Sequence, residues 1–168
     1  GVETFMEEQF SRGILYYNYR GWYYGPGSWP TNSINNGYET PFVSTITCGT
    51  GDYNSTSSSE EFVWLGSVND PKGAVGAVGM ATIGTHTAYN NIVNMGIYDG
   101  IFSKRLWLAG AAVANGDLAI VATYPNPNSA ANAAETFSKW SNLIGDPALH
   151  LWTDVPTNFN FMHPSELA

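Results

Sequence analysis

One cysteine and three histidines are the side chains of this 168-residue chain best suited to nucleophilic or metal chemistry. Cys48 is the most suggestively placed. It ends a β-branched, apolar run, Phe42-Val-Ser-Thr-Ile-Thr47, which starts cleanly after Pro41, and Gly49 and Gly51 follow at once. A run of this kind, bounded by Pro and Gly, reads as a strand. In open α/β sheets, chemistry collects just past the carboxyl ends of parallel strands. A thiol there, with glycines that let a substrate backbone approach closely, has the placement of a nucleophile. The competing reading is structural, because a free cysteine also serves as a small buried hydrophobe.

His86 is the histidine whose position matters most. It lies in Thr82-Ile-Gly-Thr-His-Thr87, after the run Ala74–Ala81 (AVGAVGMA). That run predicts a strand buried on both faces, with Gly76 and Gly79 allowing close helix packing. One predicted helix separates it from Phe42–Thr47, which makes a right-handed βαβ unit. Strands joined this way lie side by side, about 4.8 Å apart, so Cys48 and His86 share one rim of the sheet. From there an imidazole reaches the sulfur directly or through one water, as a general base must. Gly84 frees the loop, and Thr85 or Thr87 would orient the ring. The alternative for His86 is a cap on the helix that begins near Ala88. His150, between Leu149 and Leu151, reads as a face or core residue of a strand, and His163 falls in the tail. Cys48, His86, His150 and His163 lack the short paired spacings of a zinc site. No cofactor and no zinc are expected. Calcium as a structural ion is compatible with an acidic chain and carbonyl-rich loops, although no acidic loop motif marks a site.

The totals suit one globular domain with a sizeable core: hydrophobic residues make up 43%. Charged residues are only 12%, and six Lys and Arg stand against a net charge of −8. So few cations cannot build a basic patch, which argues against nucleic acid and anionic membrane surfaces as partners. No apolar run is long enough to span a bilayer. No signal peptide opens the chain, and Gly1-Val-Glu-Thr reads like the middle of something longer. A single cysteine excludes an internal disulfide. A surface rich in Asn, Ser, Thr, Tyr and Gly is common in secreted proteins. Asn54-Ser55-Thr56 is a glycosylation sequon that matters only in a secreted eukaryotic protein.

In chain order, residues 4–12 have helical spacing, with Gly13 as the stop, and residues 14–19 (ILYYNY) read as a strand. Residues 20–36 form a long aromatic, glycine-rich loop holding Trp22, Tyr23, Tyr24 and Trp29. Ser57–Ser59 begins a helix whose first turn carries Glu60 and Glu61, as a capping box and the helix dipole favour. Asn69–Gly73 is a turn. A helix is expected over 88–102, with Ile92, Val93, Ile97 and Ile101 in register. Another is expected over 103–115, with Ser103 as N-cap and Gly116 as stop. Residues 117–123 fit strand or helix. After the loop 124–128, residues 129–143 read as a helix and 147–153 (PALHLWT) as a last strand. The alternation implies a mostly parallel sheet covered by helices. Neither the G-x-G-x-x-G fingerprint nor the P-loop lysine is present, which argues against a nucleotide-dependent enzyme.

Taken together, the chain resembles the gingipain family of cysteine peptidases, within the caspase-like clan. The resemblance runs from about Gly13 to Pro156. It rests on Tyr17-Asn-Tyr-Arg-Gly21, Thr47-Cys-Gly-Thr-Gly-Asp-Tyr53, the stretch Gly76 to His86, and Asn142-Leu-Ile-Gly-Asp-Pro-Ala-Leu149. It implies an α/β, caspase-like fold: a mostly parallel sheet flanked by helices in a three-layer sandwich. Residues 1–156 would then be a partial peptidase domain lacking its N-terminal strands, and 157–168 a tail or the start of a following domain. Cys48 takes the nucleophile position, and backbone N–H groups near Tyr23 and Cys48–Gly49 form an oxyanion hole. Trp22, Trp29 and Thr85 fall at the substrate pocket.

The family's catalytic histidine, in a Gly-His-Gly context, is replaced here by Arg20-Gly21-Trp22-Tyr23. Indole cannot take a proton, so either His86 serves as the base or the chain is a non-catalytic member. Two functions follow. One is a secreted cysteine endopeptidase, bacterial or archaeal, secreted or at the cell surface, acting on a protein or peptide and assembled with an upstream segment of the same precursor. The other is a peptide- or glycan-binding module on the same fold, using the aromatic loop as its contact surface.

Overall fold

The computed structural model describes residues 2–20, 31–125 and 132–154. Four strands form the central sheet in the order β1-β2-β5-β6: β1 (Tyr16–Arg20), β2 (Phe42–Ile46), β5 (Gly76–Met80) and β6 (Ser141–Ile144). The first three are parallel, and β6 runs antiparallel to β5. A small hairpin of β3 (Gly66–Ser67) and β4 (Asp70–Pro71) stands apart, where the sequence predicts only a turn. The helices are α1 (Val2–Phe10), α2 (Ser58–Trp64), α3 (Thr87–Tyr98), α4 (Ala109–Thr123) and α5 (Asn132–Trp140).

Both central strands are buried along their whole length, which is why they read as continuous apolar runs and not as alternating ones. Period-two alternation still divides their side chains between two cores. Val43 and Ala77 join Tyr17, Met6, Phe10 and Phe62 beneath α1 and α2. Phe42, Ile46, Val78 and Met80 join Val93, Ile97, Ile101, Ala112 and Ile120 beneath α3 and α4. The result is the three-layer sandwich expected from the sequence. Among the described residues β1 is an edge, paired on one side only.

The capping box predicted at α2 is present: Ser57 Oγ accepts from the Glu60 amide at 3.3 Å, and Glu60 accepts from the Ser57 amide at 2.7 Å. On the buried side of α2, Phe62 is fully buried. Val63 and Leu65 are partly covered, and Gly66 is exposed at the hairpin.

Two helix boundaries differ from expectation. Ser103 does not start a helix but closes a π-turn, Asp99–Ser103, that continues α3. Arg105, the only non-glycine with positive φ among the described residues, then turns the chain toward α4. Gly116 does not stop that helix either. It lies inside α4, which absorbs 117–123, because α3 and α4 cross there. The Cα of Gly116 lies 2.8 Å from where a Cβ on Gly96 would be, and a Cβ on Gly116 would sit 2.8 Å from both Ile97 Cγ1 and Val93 O.

The segment 147–151 is not a sheet strand. Apart from one bridge, His150 to Leu108, it serves α4. Leu108, the N-cap residue, has no side-chain acceptor to offer, so carbonyls of this segment take the amides of the first turn: Ala109 to Leu149 O and Gly110 to Pro147 O, both 2.9 Å. The last strand is instead Ser141–Ile144, which the sequence reading assigns to the end of α5.

Two predictions follow from α4. In an isolated helix Gly116→Ala would stabilise by about 1 kcal/mol. Here the added methyl must push α3 away, so the net change is destabilising by about 1–3 kcal/mol in chemical denaturation; a neutral or stabilising result would mean the helices part freely. Next to it, Asp117 has a buried Oδ1 with no hydrogen-bond partner, and burial raises its pKa from 3.8 to about 7. The fold favours the neutral acid, so its contribution is present below the ordinary carboxylate range and lost as pH rises through about 7. Asp117→Asn is expected to raise the melting temperature at pH 8 and to leave it nearly unchanged at pH 4, and equal shifts at both would contradict this origin.

Candidate active site

The chain leaves β2 at Ile46 and turns at once. Thr50 holds the turn together: its hydroxyl hydrogen-bonds Thr45 O and, at 2.9 Å, Thr47 O, and it accepts from the Met80 amide at 3.2 Å. The turn is also sewn to its neighbours. The Gly51 amide donates to Met80 O at 3.0 Å, the Gly49 amide donates to Thr82 O at 2.9 Å, and Asn142 Nδ2 on β6 donates to Gly51 O at 2.8 Å. Gly49 takes a left-handed φ of +68°. Gly51 is buried, and a Cβ there would lie 2.6 Å from the carbonyl carbon of Gly79. Of the two glycines expected to open the way for a substrate, Gly51 instead lets the turn press against β5.

This places Cys48 at the carboxyl rim of the sheet, half-buried, with a free thiol. Its sulfur lies 2.9 Å from Thr85 Oγ1, and Thr85 in turn accepts from Asn90 Nδ2 at 3.2 Å. Thr85, assigned from sequence to the substrate pocket or to orienting an imidazole, therefore meets the sulfur itself. Gly49, named as an oxyanion donor, has its N–H committed to Thr82 O. Among the described residues nothing accepts from the Cys48 amide, which makes it the donor this turn leaves available to an oxyanion. Tyr23, Trp22 and Trp29 lie outside the described residues.

His86 is exposed and acts as the N-cap of α3, its Nδ1 accepting from the Ala88 amide at 3.2 Å. Its ring centroid lies 5.6 Å from that of Tyr89. A cap fixes the tautomer: with Nδ1 accepting, the neutral ring carries its proton on Nε2. The cap and a charged imidazolium are incompatible, because a protonated Nδ1 no longer accepts. His150 is exposed, its ring 5.8 Å from Trp107.

Asn90 is the site residue that the sequence reading passes over. It stands one turn before Asn94 and in the same register as the buried Val93 and Ile97. A polar residue on an apolar stripe needs a partner, and that was the available signal. Its partner, Thr85, is in the preceding loop, and the sulfur beyond it comes from another strand. No contact pattern in the local sequence announces either.

A model described as peptidase family C25 matches residues 2–152. Two solved structures share the fold. The Arg-specific cysteine proteinase gingipain R aligns with a TM-score of 0.78 at 20% identity, covering 92% of this chain and 37% of its own. A complex of the pro- and mature domains of RgpB from Porphyromonas gingivalis aligns with a TM-score of 0.77 at 21% identity, covering 92% of this chain and 38% of its own. The chain thus spans less than two fifths of the structures it matches. No curated protein matches it.

The turn that carries Cys48 is open to a direct test. Thr50→Val keeps the side-chain shape but removes a buried hydroxyl with three partners, leaving the Met80 amide and two carbonyls short. A loss of about 1–3 kcal/mol is expected in denaturant titration, together with faster hydrogen exchange at Gly51. A variant as stable as the parent would show that Thr50 does not hold the turn.

Proposed function

Because the chain belongs to peptidase family C25, we propose that it is the nucleophile-bearing part of a cysteine endopeptidase. The observation that carries this reading is the thiol of Cys48 at the carboxyl rim of a parallel sheet, hydrogen-bonded to a hydroxyl and borne by a residue whose own amide is unclaimed among the described residues. In the proposed reaction the Cys48 thiolate adds to the carbonyl carbon of a peptide bond. The negative charge passes to the carbonyl oxygen, which the Cys48 N–H receives together with a donor near Tyr23. Collapse of that intermediate breaks the C–N bond, the leaving amine takes a proton from the imidazolium of the base, and water then hydrolyses the thioester.

His86 is the base in this proposal. To accept a proton on Nε2 it must carry one on Nδ1 and release Ala88, at the expense of a cap worth about 0.5–2 kcal/mol. The catalytic unit is completed by an upstream segment of the same precursor lying along the open side of β1. Residues 1–156 are then the later part of a caspase-like peptidase domain, and 157–168 a tail or the start of the next. The natural setting is the outside of a bacterial or archaeal cell, secreted or surface-bound; among the described residues no helix is long and apolar enough to cross a membrane. No cofactor takes part, and calcium would serve at most as a structural ion.

One observation favours the second reading, a non-catalytic peptide- or glycan-binding module: the sulfur is partnered by a threonine, while the nearest histidine in the sequence is occupied as a helix cap. Cleavage of a peptide library by the natural protein separates the two. Cys48→Ala is expected to abolish cleavage, and undiminished turnover would end the peptidase reading. His86→Asn preserves a capping side chain, so a fall of about 100-fold or more in both His86→Asn and His86→Ala identifies a base. Full activity in His86→Asn would identify a cap and nothing more.

A further inference from the structure

Resting on the peptidase reading, we propose that the Thr85 hydroxyl is a built-in donor to the Cys48 thiolate, and that Asn90 is the positioning residue that aims it. A threonine hydroxyl has one proton and two lone pairs. Asn90 Nδ2 has only protons to give, so in the 3.2 Å contact Thr85 Oγ1 is the acceptor. That leaves the hydroxyl proton uncommitted, and the sulfur 2.9 Å away is its partner. When Cys48 is a thiol, either atom can donate. When it is a thiolate, the sulfur can only accept, and the contact becomes a charge-assisted hydrogen bond, roughly twice as strong as a neutral one. A bond that strengthens on ionisation favours the ionised form.

The surroundings fix this geometry. Asn90 is 4% exposed and sits in the first turns of α3, a rigid element packed on the sheet. Its Oδ1 has no hydrogen-bond partner among the described residues, so the contact to Thr85 is the one hydrogen bond its side chain makes there. The loop that carries Thr85 is tied to the nucleophile turn by the Gly49 amide on Thr82 O, and its end is fixed by the cap of His86 on Ala88. Sulfur, hydroxyl and amide are thus held from three sides: the turn after β2, the loop after β5, and α3.

The test reads thiolate formation directly, by the rate of Cys48 alkylation with iodoacetamide across pH. Thr85→Val keeps the side-chain shape and removes the donor. It is expected to slow alkylation at neutral pH about tenfold and to move the whole profile to higher pH, while Thr85→Ser restores both. Asn90→Leu is expected to move the profile in the same direction, and to add nothing further in the Thr85→Val background, because it acts through that hydroxyl. Parent-like alkylation in Thr85→Val, equal slowing by Val and Ser, or additive effects of the two substitutions would each overturn the proposal. Alkylation requires no peptide cleavage. If the parent chain cleaves no peptide yet Thr85→Val still shifts the profile, the peptidase reading falls and the hydroxyl's role stands.

Discussion

The structure depends on how closely two backbones meet where the turn after β2 passes β5. Gly51 and Gly79 are in contact without side chains between them, and a Cβ on Gly79 would lie 2.6 Å from Thr50 C and 2.3 Å from Ser59 Oγ. Two glycines and one threonine make that approach: the glycines leave the space, and Thr50 fills the hydrogen-bonding needs of the backbone on both sides. The start of α2 is drawn into the same knot through the Ser59 amide on Thr50 O. A reactive thiol can be carried on such a turn because the backbone around it has little freedom to relax.

Among the described residues the sulfur's hydrogen-bond partner is a hydroxyl and not an ion. Its one described hydrogen bond is shared with Thr85, and among the described residues the ion pairs Lys72–Asp70, Lys104–Asp99 and Lys139–Glu135 lie elsewhere on the surface. Oriented donors at a rim of this kind need no reorganisation as charge develops. The cap at His86 belongs to the same economy of parts: one residue both ends the loop that holds Thr85 and starts the helix that holds Asn90. A residue with two duties is constrained, since using the imidazole as a base loosens the cap that keeps the loop in place.

What could be read from the sequence was mostly local. The capping box is four residues long and states its own geometry. The β2 and β5 strands declare themselves by β-branched or small apolar composition between turn residues, and their adjacency follows from the handed βαβ connection. What could not be read depends on contacts far along the chain. A glycine that ends a helix and a glycine that lets two helices cross are the same letter, so the sequence alone does not tell which role Gly116 plays. The N-terminus of α4 lacks a capping side chain because carbonyls about forty residues later, at Pro147 and Leu149, serve it, so Ser103 looked the better start. At the site, the placement of Cys48 and of the following loop was legible from element order. Which of that loop's residues meets the sulfur was not: Thr85 hydrogen-bonds Cys48 while His86 caps α3, and both contacts depend on elements outside the loop.

The central claim is that Cys48 is a nucleophile prepared by the fold and not a buried thiol. The most direct measurement is labelling of the natural protein by a peptidyl electrophile, with the modified residue mapped by mass spectrometry before and after denaturation. The account predicts that Cys48 is labelled in the folded chain, in competition with peptide substrate, and that labelling is lost on unfolding. Labelling that appears only after denaturation would contradict it.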